Sequence, residues 1–318
     1  MLYGKNMKMV SSDKYLGDQI SGLGSDASVS GTIAKRKGKV IQTIFEIRAI
    51  IDDCRSHVIG AIQTGLEIWE MAVLPYLTNN SATWYGMSDN TLDELDSLQK
   101  LFYRVLLQVP TGCPIPMLYW DCGGLLMSNI IIMKKLILLH HIATLSPNSY
   151  AHQIYLVQKK LKLPGLVQEC EKFLVQFNVT KIEVYTKLQW KLFVKKHIKI
   201  KNKADILERM KPYDKIDHKQ MATEKYELKP YFKNLHLSEA RDKFRIRSYM
   251  TRTVKMNFKS HKQYASDLWT CWHCPKIDSQ AHVMICPEYE KFRTNKNLEN
   301  DSDLVTYFRE VLKFRDEK

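Results

Sequence analysis

Cys271-Trp272-His273-Cys274, followed by His282 and Cys286, places four metal-ligating side chains within sixteen residues at the spacing C-x2-C-x7-H-x3-C. Cysteine thiolates and a neutral imidazole are ligands that a tetrahedral zinc ion prefers, and the spacing is typical of a zinc module. His282 and Cys286, four residues apart, predict one face of a helical turn. Four protein ligands leave no open position for water, so we expect a structural metal. His273 is an alternative fourth ligand.

Composition places the chain among basic globular proteins. The 318 residues are 45% hydrophobic, carry a formal net charge of +14 and have a pI of about 9.3. This length indicates two or three compact units, each able to bury a core. Between Lys187 and Lys262 there are 22 Lys/Arg against eight Asp/Glu, a surplus equal to the whole net charge. Such a basic segment favours a partner that carries phosphates or another anionic surface.

Two predicted helices carry the basic residues that are candidates for phosphate contacts. The first, 182–199, interleaves lysines with Trp190 and Phe193, and the second, 238–258, repeats arginines at helical spacing. The candidate nucleic-acid-binding residues are Lys195, Lys196, Arg241, Arg245, Arg247, Arg252 and Trp272. Trp272, like Trp269, would stack on a base. The alternative for the arginines is an ordinary solvated face, and for the tryptophans packing around the zinc.

Other features exclude several classes of function. The polar N-terminus shows no secretory signal, and seven cysteines, an odd number, favour reduced thiols in the cytosol or nucleus. Lys134 and Lys135 interrupt the apolar run 125–145, which argues against a membrane span. Asp52-Asp53 could hold magnesium, but the helix-like context favours a solvated helix end. The chain has no Ser-His-Asp set, phosphate-binding glycine loop or HExxH motif, so we expect no small-molecule substrate.

Periodicity predicts a chain of helices. A loop is expected over the Gly/Ser-rich residues 21–31. A capping box formed by Thr91 and Glu94 is expected to open an amphipathic helix whose core stripe includes Leu95, Leu98 and Phe102. Further helices are predicted over 32–51, over 58–77 with a stop near Pro75, and over 128–145, 154–161, 167–177, 182–199, 238–258 and 304–314.

Short segments in a fixed order carry a family resemblance. They are Lys14-Tyr15-Leu16-Gly17-Asp18, Leu77–Trp84, Thr91–Leu107, Leu118–Gly123, Ala240–Phe258, and the Cys/His motif ending in Cys286-Pro287. In this order they resemble the C-terminal part of non-LTR (LINE-type) retrotransposon polyproteins, from the primer grip of the reverse transcriptase to the terminal zinc motif. Trp120-Asp121 departs from the leucine-glutamate pair usual in that family.

The resemblance implies a fold and a division into domains. The fold would be mainly α: a remnant of the polymerase palm with a short β element (1–24), a thumb-like helical domain (25–150), a basic helical connector (151–262), and a CCHC zinc module with a terminal helix (263–318). The polymerase carboxylates of the family lie upstream of the Lys14 segment, and its endonuclease lies further upstream or, in some lineages, after the zinc motif, where only 32 residues follow Cys286. We therefore expect neither polymerase nor nuclease activity and no magnesium site, but a fragment that binds RNA or DNA with a structural zinc ion as its cofactor.

Two other interpretations stay open. The chain could be a piece of a longer, active RNA-directed DNA polymerase. It could instead be a zinc-stabilised helical interaction protein with no role in nucleic-acid binding, whose basic face is merely solvated.

Overall fold

The computed structural model describes residues 12–15, 18–21, 25–53, 58–213, 216, 218–251, 270–271 and 273–316, and this part of the protein is mainly helical. Two short strands, β1 (Ser12–Tyr15) and β2 (Asp18–Ser21), pair antiparallel with Ser12 opposite Ser21. Several expectations concern residues outside this set, namely those for Arg252, Trp269 and Trp272 and for the second half of the helix over 238–258.

Helices make up most of the described residues. In chain order they are α1 (Ser25–Asp53), α2 (Ala61–Ile68), a π-helical turn (Trp69–Val73), α3 (Leu74–Leu77), a 3-10 turn (Ser81–Thr83), α4 (Asp89–Leu107), α5 (Ile115–Cys122), α6 (Met127–Ala143), α7 (Tyr150–Leu161), α8 (Leu166–Gln176), α9 (Lys187–Met210), α10 (His218–Thr223), α11 (Tyr231–Asn234), α12 (Leu237–Arg247), α13 (Gln280–Ile285), a second 3-10 turn (Pro287–Tyr289), α14 (Glu290–Arg293) and α15 (Asp301–Asp316).

The chain divides into two compact units, each built from segments that are distant in sequence. Unit 1 comprises residues 1–46, 68–102 and 124–208, and unit 2 comprises residues 47–67, 103–123 and 209–318. The expected sequential division at residues 24, 150 and 262 does not coincide with these units, because the division of the chain falls inside α1, α4 and α9.

Helix α1 begins earlier than predicted. The Gly/Ser-rich residues 21–31 were expected to form a loop, but the helix starts at Ser25. Val29 and Ile33 extend the apolar stripe that continues with Val40 and Ile44, and all four are buried. Burying these side chains outweighs the helix penalty of Gly31, which is about 1 kcal/mol.

Two predicted helix boundaries are corrected by local hydrogen bonds. Ser88, not Thr91, caps α4: its Oγ accepts from the Thr91 N–H at 3.3 Å. The helix predicted over 182–199 begins only at Lys187, because Thr186 and Gln189 bond reciprocally, each backbone N–H donating to the other's side-chain oxygen at 2.9 and 3.3 Å. Such a reciprocal pair fixes the first turn of a helix.

The helical segment predicted over 58–77 begins at Ala61 and ends at Leu77, so Pro75 lies within its last turn. Pro75 lies in the first turn of α3, directly after the π-helical turn Trp69–Val73. Proline has no N–H to donate, and a locally widened turn accommodates that missing bond.

The core of unit 1 lies where α6, α7, α8 and α9 pack together. Trp190, Val194 and Ile198, spaced by four residues on α9, are fully buried against side chains of α6 and α8 such as Leu136 and Cys170. The Trp190 Nε1–H donates to the Leu136 carbonyl at 2.8 Å, so its one polar group is satisfied inside the core. This packing fixes which face of α9 points away from the protein.

Unit 2 contains a buried carboxylate at the end of α5, a helix that the sequence reading did not predict. Asp121 is fully buried and accepts from the Arg247 Nε at 2.9 Å and from the Tyr231 hydroxyl at 2.7 Å. Glu224 adds a second carboxylate, 3.2 Å from Arg247. These contacts link α5 to α11 and α12.

Among the described helices, none is by itself both long and apolar enough to cross a membrane; α5 and α6 meet that criterion only when taken together.

Candidate metal centre and nucleic-acid interface

The four predicted metal ligands come together in unit 2. The ligand atoms of Cys271, Cys274, His282 and Cys286 all lie within 4.8 Å of one another, and the His282 Nε2 is 3.2 Å from the Cys274 Sγ. Three of the side chains are buried and that of Cys274 is partly exposed. Metal–sulfur and metal–nitrogen bonds in zinc sites are about 2.3 and 2.0 Å long, so ligand atoms grouped this closely are near the separations that one tetrahedral ion requires. This Cys3His cluster could therefore hold a metal ion.

A tight turn positions the first two cysteines. Thr270 and Ile277 form an antiparallel bridge, and the Cys271 N–H donates to the Lys276 carbonyl at 2.7 Å. The bridge closes the turn at its base and brings the Cys271 and Cys274 thiols to the same side. Trp272 lies outside the described residues, and its stacking on a base stays a prediction.

Helix α13 positions the other two ligands. Ser279 caps its N-terminus, and its Oγ accepts from the His282 N–H at 3.1 Å. Cys286 follows the last helical residue, so the imidazole and the thiol lie one turn apart, as the spacing predicted.

The surroundings of the ligands set their protonation. Burial lowers the pKa of His282, which favours the neutral imidazole that binds metals. Burial, with a smaller contribution from Cys271, raises the pKa of Cys286 to about 11. A thiolate at this position calls for a neighbouring cation, and a bound metal ion supplies that charge.

His273, the alternative fourth ligand, is not part of the cluster. Its ring stacks on Phe314 with centroids 5.5 Å apart and meets the edge of Tyr289 at 5.7 Å. The imidazole grouped with the three cysteines is that of His282.

Helix α15 supports the cluster from the C-terminal side. Arg315 forms a buried, two-pronged ion pair with Asp278 at 2.6 and 3.0 Å, and its Nε donates to the Tyr289 hydroxyl at 2.8 Å. The Tyr307 hydroxyl donates to the carbonyl of Val283 in α13. Val305, Phe308 and Val311 complete a small apolar core. The terminal helix, predicted over 304–314, thus packs in one module with the Cys3His cluster.

Two of the predicted phosphate contacts are engaged inside unit 2. Arg241 is only 7% exposed; its Nε donates to the Leu106 carbonyl at 3.0 Å and its guanidinium pairs with Asp52 at 2.7 Å. Arg247 pairs with the buried Asp121. The prediction that these two side chains face a phosphate backbone does not fit these contacts, because moving them outward would break the bonds of Arg241 inside unit 2 and remove the ionic partner of the buried Asp121.

Arg245 is partly exposed but also has internal partners. It pairs with Asp242 at 2.8 Å and donates to the Gln108 carbonyl at 3.0 Å. Arg252 lies outside the described residues, so its predicted role stays a prediction.

The Asp52-Asp53 pair lies at the end of α1, as predicted, but Asp52 pairs with arginines and is not simply solvated. Burial acts to raise the pKa of Asp52, but the hydrogen bonds and charges of Arg241 and Arg48 outweigh it, so the pKa is lowered. Its carboxylate is occupied by these two arginines and by the Gln108 amide.

The lysines of α9 are placed differently from the arginines. Lys195 and Lys196 are exposed, opposite the buried face of the helix. The sequence reading missed Lys187, Lys191 and Lys199, which with Lys195 form a row at steps of four residues. The signal was the spacing of four residues between these lysines, which is already visible inside the helix predicted over 182–199.

Comparison with protein-family models, with curated proteins and with solved structures finds no match to this chain.

Proposed function

We propose that this chain binds RNA or DNA through its phosphates along the outer face of α9, and that a zinc ion holds its C-terminal module together. The observation that carries the proposal is the charge of α9: residues 187–203 contain seven lysines and no acidic residue. Lys187, Lys191, Lys195 and Lys199 follow one another about 6 Å apart along the helix axis. A rigid row of cations can contact several phosphates of one strand.

Packing supports the same face as the binding surface. Trp190, Val194 and Ile198 are fully buried, so α9 is held in one rotational setting. Lys195, Lys196 and Lys199 are exposed on the opposite side. Since no rearrangement is needed to present them, the helix offers a preformed cationic surface.

The resemblance to LINE-type retrotransposon polyproteins supports this function. In that family the thumb, connector and zinc motif are thought to hold template RNA, primer or target DNA. We propose that the chain corresponds to this part of such a reverse transcriptase, and that it acts by binding in the cytosol or nucleus, where its thiols stay reduced.

Zinc is the metal that the ligand set favours. Three thiolates and one imidazole suit a tetrahedral zinc ion, whereas magnesium and calcium prefer oxygen ligands. The ion would be structural, since the four side chains occupy all four coordination positions. It would join the turn that carries Cys271 and Cys274 to helix α13.

A protein partner is the second candidate, and a specific observation favours it. Leu188 and Leu192, on the same face of α9 as the lysines, are 67% and 60% exposed. Exposed leucines beside lysines suit an acidic, partly apolar protein surface.

A charge-neutralising variant tests the first proposal. The triple substitution Lys195→Gln, Lys196→Gln and Lys199→Gln is compared with Lys160→Gln, Lys172→Gln and Lys181→Gln, which removes the same charge from exposed positions elsewhere in unit 1. Affinity for labelled single- and double-stranded oligonucleotides is measured by fluorescence anisotropy between about 50 and 200 mM salt. The first variant should reduce the slope of log affinity against log salt by about 2 to 3.

The proposal is rejected if both triple variants lose the same affinity, or if binding does not weaken with salt. The double variant Leu188→Ser with Leu192→Ser distinguishes binding of a protein partner from binding of nucleic acid. This double variant should keep its affinity for nucleic acid, whereas a protein partner that docks on the leucines would be lost.

A further inference from the structure

A cleft of about 490 Å³ opens in unit 1 between three segments of the chain. They are the turn that follows α3, the middle of α6 and the first turns of α9. Ligand sites for small molecules commonly have about 300–1,000 Å³. The cleft is therefore large enough for a nucleotide-sized molecule, and it lies at the N-terminal end of the lysine row on α9.

Cations line this cleft without matching anions. Lys134 and His141 come from α6, and Lys187 and Lys191 come from α9. None of the described residues that line the cleft is acidic, and none of these three lysines pairs with a carboxylate within the described ranges. Three ammonium groups around one concave surface focus a positive potential in it.

Lys134 is held in place by the turn. Its Nζ donates to the Thr78 carbonyl at 2.8 Å and to the Thr78 hydroxyl at 2.6 Å. Burial, followed by the charge of Arg36, lowers the pKa of Lys134, as expected for a cation without a nearby carboxylate. An anion in the cleft would stabilise the charged form of Lys134.

Arg36 fixes the same turn from behind. Its guanidinium donates to the carbonyls of Leu77 and Asn79 at 3.2 and 3.1 Å and pairs with Asp18 at 2.6 Å. Asn80, next in the chain, adopts a left-handed backbone conformation with φ of 61°. The wall of the cleft is thus a rigid, built feature rather than a loose loop.

Ser81 supplies an independent sign of a ligand. It lines the cleft, its side chain is fully buried, and its Oγ has no hydrogen-bond partner among the described residues. An unpaired buried hydroxyl is unfavourable, because it has lost its hydrogen bonds to water without gaining another partner. A ligand oxygen in the cleft could accept its hydrogen bond.

We propose that this cleft binds a phosphate ester of nucleotide size, with Lys134, Lys187 and Lys191 neutralising the phosphate and Ser81 donating to one of its oxygens. Ile137 and Leu138 offer an apolar wall for the sugar or base. The ester can come from a free mononucleotide or from one residue of a nucleic-acid strand. Binding of one residue of a strand rests on the proposed function, because the rest of that strand would follow Lys195 and Lys199 beyond the cleft. Binding of a free mononucleotide does not rest on it.

The test uses the full chain, with adenosine 5′-monophosphate, adenosine and inorganic phosphate as probes in calorimetric or NMR titrations. We expect the monophosphate to bind and adenosine to bind at least about tenfold more weakly. Lys187→Gln with Lys191→Gln should weaken monophosphate binding by at least about tenfold, and Ser81→Ala should weaken it severalfold. Lys160→Gln with Lys172→Gln, which removes the same charge from exposed positions on α7 and α8, should leave it unchanged.

The inference is overturned if adenosine binds as well as its monophosphate, or if both lysine pairs have equal effects at unchanged melting temperatures. Competition with an oligoadenylate of about eight nucleotides identifies the source. Displacement of the monophosphate assigns the cleft to a strand, and lack of displacement assigns it to free nucleotides. The variant with Lys195, Lys196 and Lys199 replaced by Gln should keep monophosphate binding, so failure of the proposed function would be seen separately.

Discussion

Asp121 illustrates how one residue can determine the stability of unit 2. Its carboxylate is fully buried and accepts from Arg247 and Tyr231 at 2.9 and 2.7 Å. Asp121→Asn removes the charge and leaves the Arg247 guanidinium with Glu224 alone. Breaking a buried ion pair from one side costs about 3 kcal/mol, so we expect the free energy of unfolding to fall by about that amount.

Urea denaturation measures this effect, and the same substitution at a second ion pair is the control. Asp301 pairs with Lys243 at 2.6 Å, but its side chain is 41% exposed. Asp301→Asn should cost less than about 1 kcal/mol. If the two variants lost the same free energy of unfolding, the burial of Asp121 would not determine its contribution to stability.

Asp26 links pH to the stability of unit 1. Hydrogen bonds from the Ser88 N–H and the Thr91 hydroxyl lower the pKa of Asp26 below its ordinary 3.8. A lowered pKa stabilises the folded state fully above pH 3.8, and this stabilisation is lost as the pH falls through the folded-state value. Asp26→Asn should therefore cost about 1 kcal/mol at pH 7 and progressively less below pH 3.8.

Denaturation curves at pH 7 and at about pH 3 check this dependence. Asp93→Asn, at an exposed position later in α4, is the control and should change stability little at either pH. A difference between wild type and Asp26→Asn that stays constant with pH would contradict the role of the ionised carboxylate.

At the scale of single elements, α13 is short and depends on its cap. It has six residues, and the Ser279 hydroxyl accepts from the N–H of His282, itself a ligand of the candidate metal site. Ser279→Ala removes this bond, a loss of about 1 kcal/mol. Because the cap orders the turn that carries His282 and Cys286, we expect metal affinity to fall by about fivefold.

Competition with a chromogenic chelator measures that affinity. Ser302→Ala in the first turn of α15 is the matched control, since the cap there is Asn300, whose Oδ1 accepts from the N–H groups of Ser302 and Asp303. An unchanged affinity in Ser279→Ala would show that the metal alone orders α13.

The helices were largely predictable because their signals are local. The stripe of Leu95, Leu98 and Phe102 in α4 repeats at helical spacing, and all three residues are buried. The grouping of Cys271, Cys274, His282 and Cys286 was predictable for the same reason, since they lie within sixteen residues. The start of α9 was missed because the reciprocal bonds between Thr186 and Gln189 compete with an apolar pattern that begins earlier.

At the scale of the whole molecule, the features that could not be predicted from the sequence are contacts between residues far apart in the chain. Arg241 and Arg245 follow the pattern of a basic helix face, but Arg241 finds its carboxylate in Asp52, 189 residues away. Local periodicity carries no information about such a partner. The lysine-lined cleft could not be predicted for the same reason, because its lining residues come from segments of unit 1 that are distant in sequence.

Metal removal should unfold the C-terminal module of unit 2, residues 270–316. Its core is small, with Val283, Tyr289 and Phe308 among its few buried apolar side chains, and the ion would join the first turn to α13. Cores as small as this one commonly need a metal ion or another cross-link for stability. Treatment with a chelator should therefore increase hydrogen exchange in residues 273–316 and lower the melting temperature, and added zinc should restore both.

Two cysteine variants make the test specific. Cys274→Ser should lose the bound metal, measured by elemental analysis, and should exchange like the chelated protein. Cys170→Ala removes a buried thiol of unit 1 that lies outside the cluster, and it should keep the metal. If Cys274→Ser retained both the metal and the slow exchange of α13, the cluster would not be a metal site, and the buried Arg315–Asp278 pair would have to hold the module together by itself.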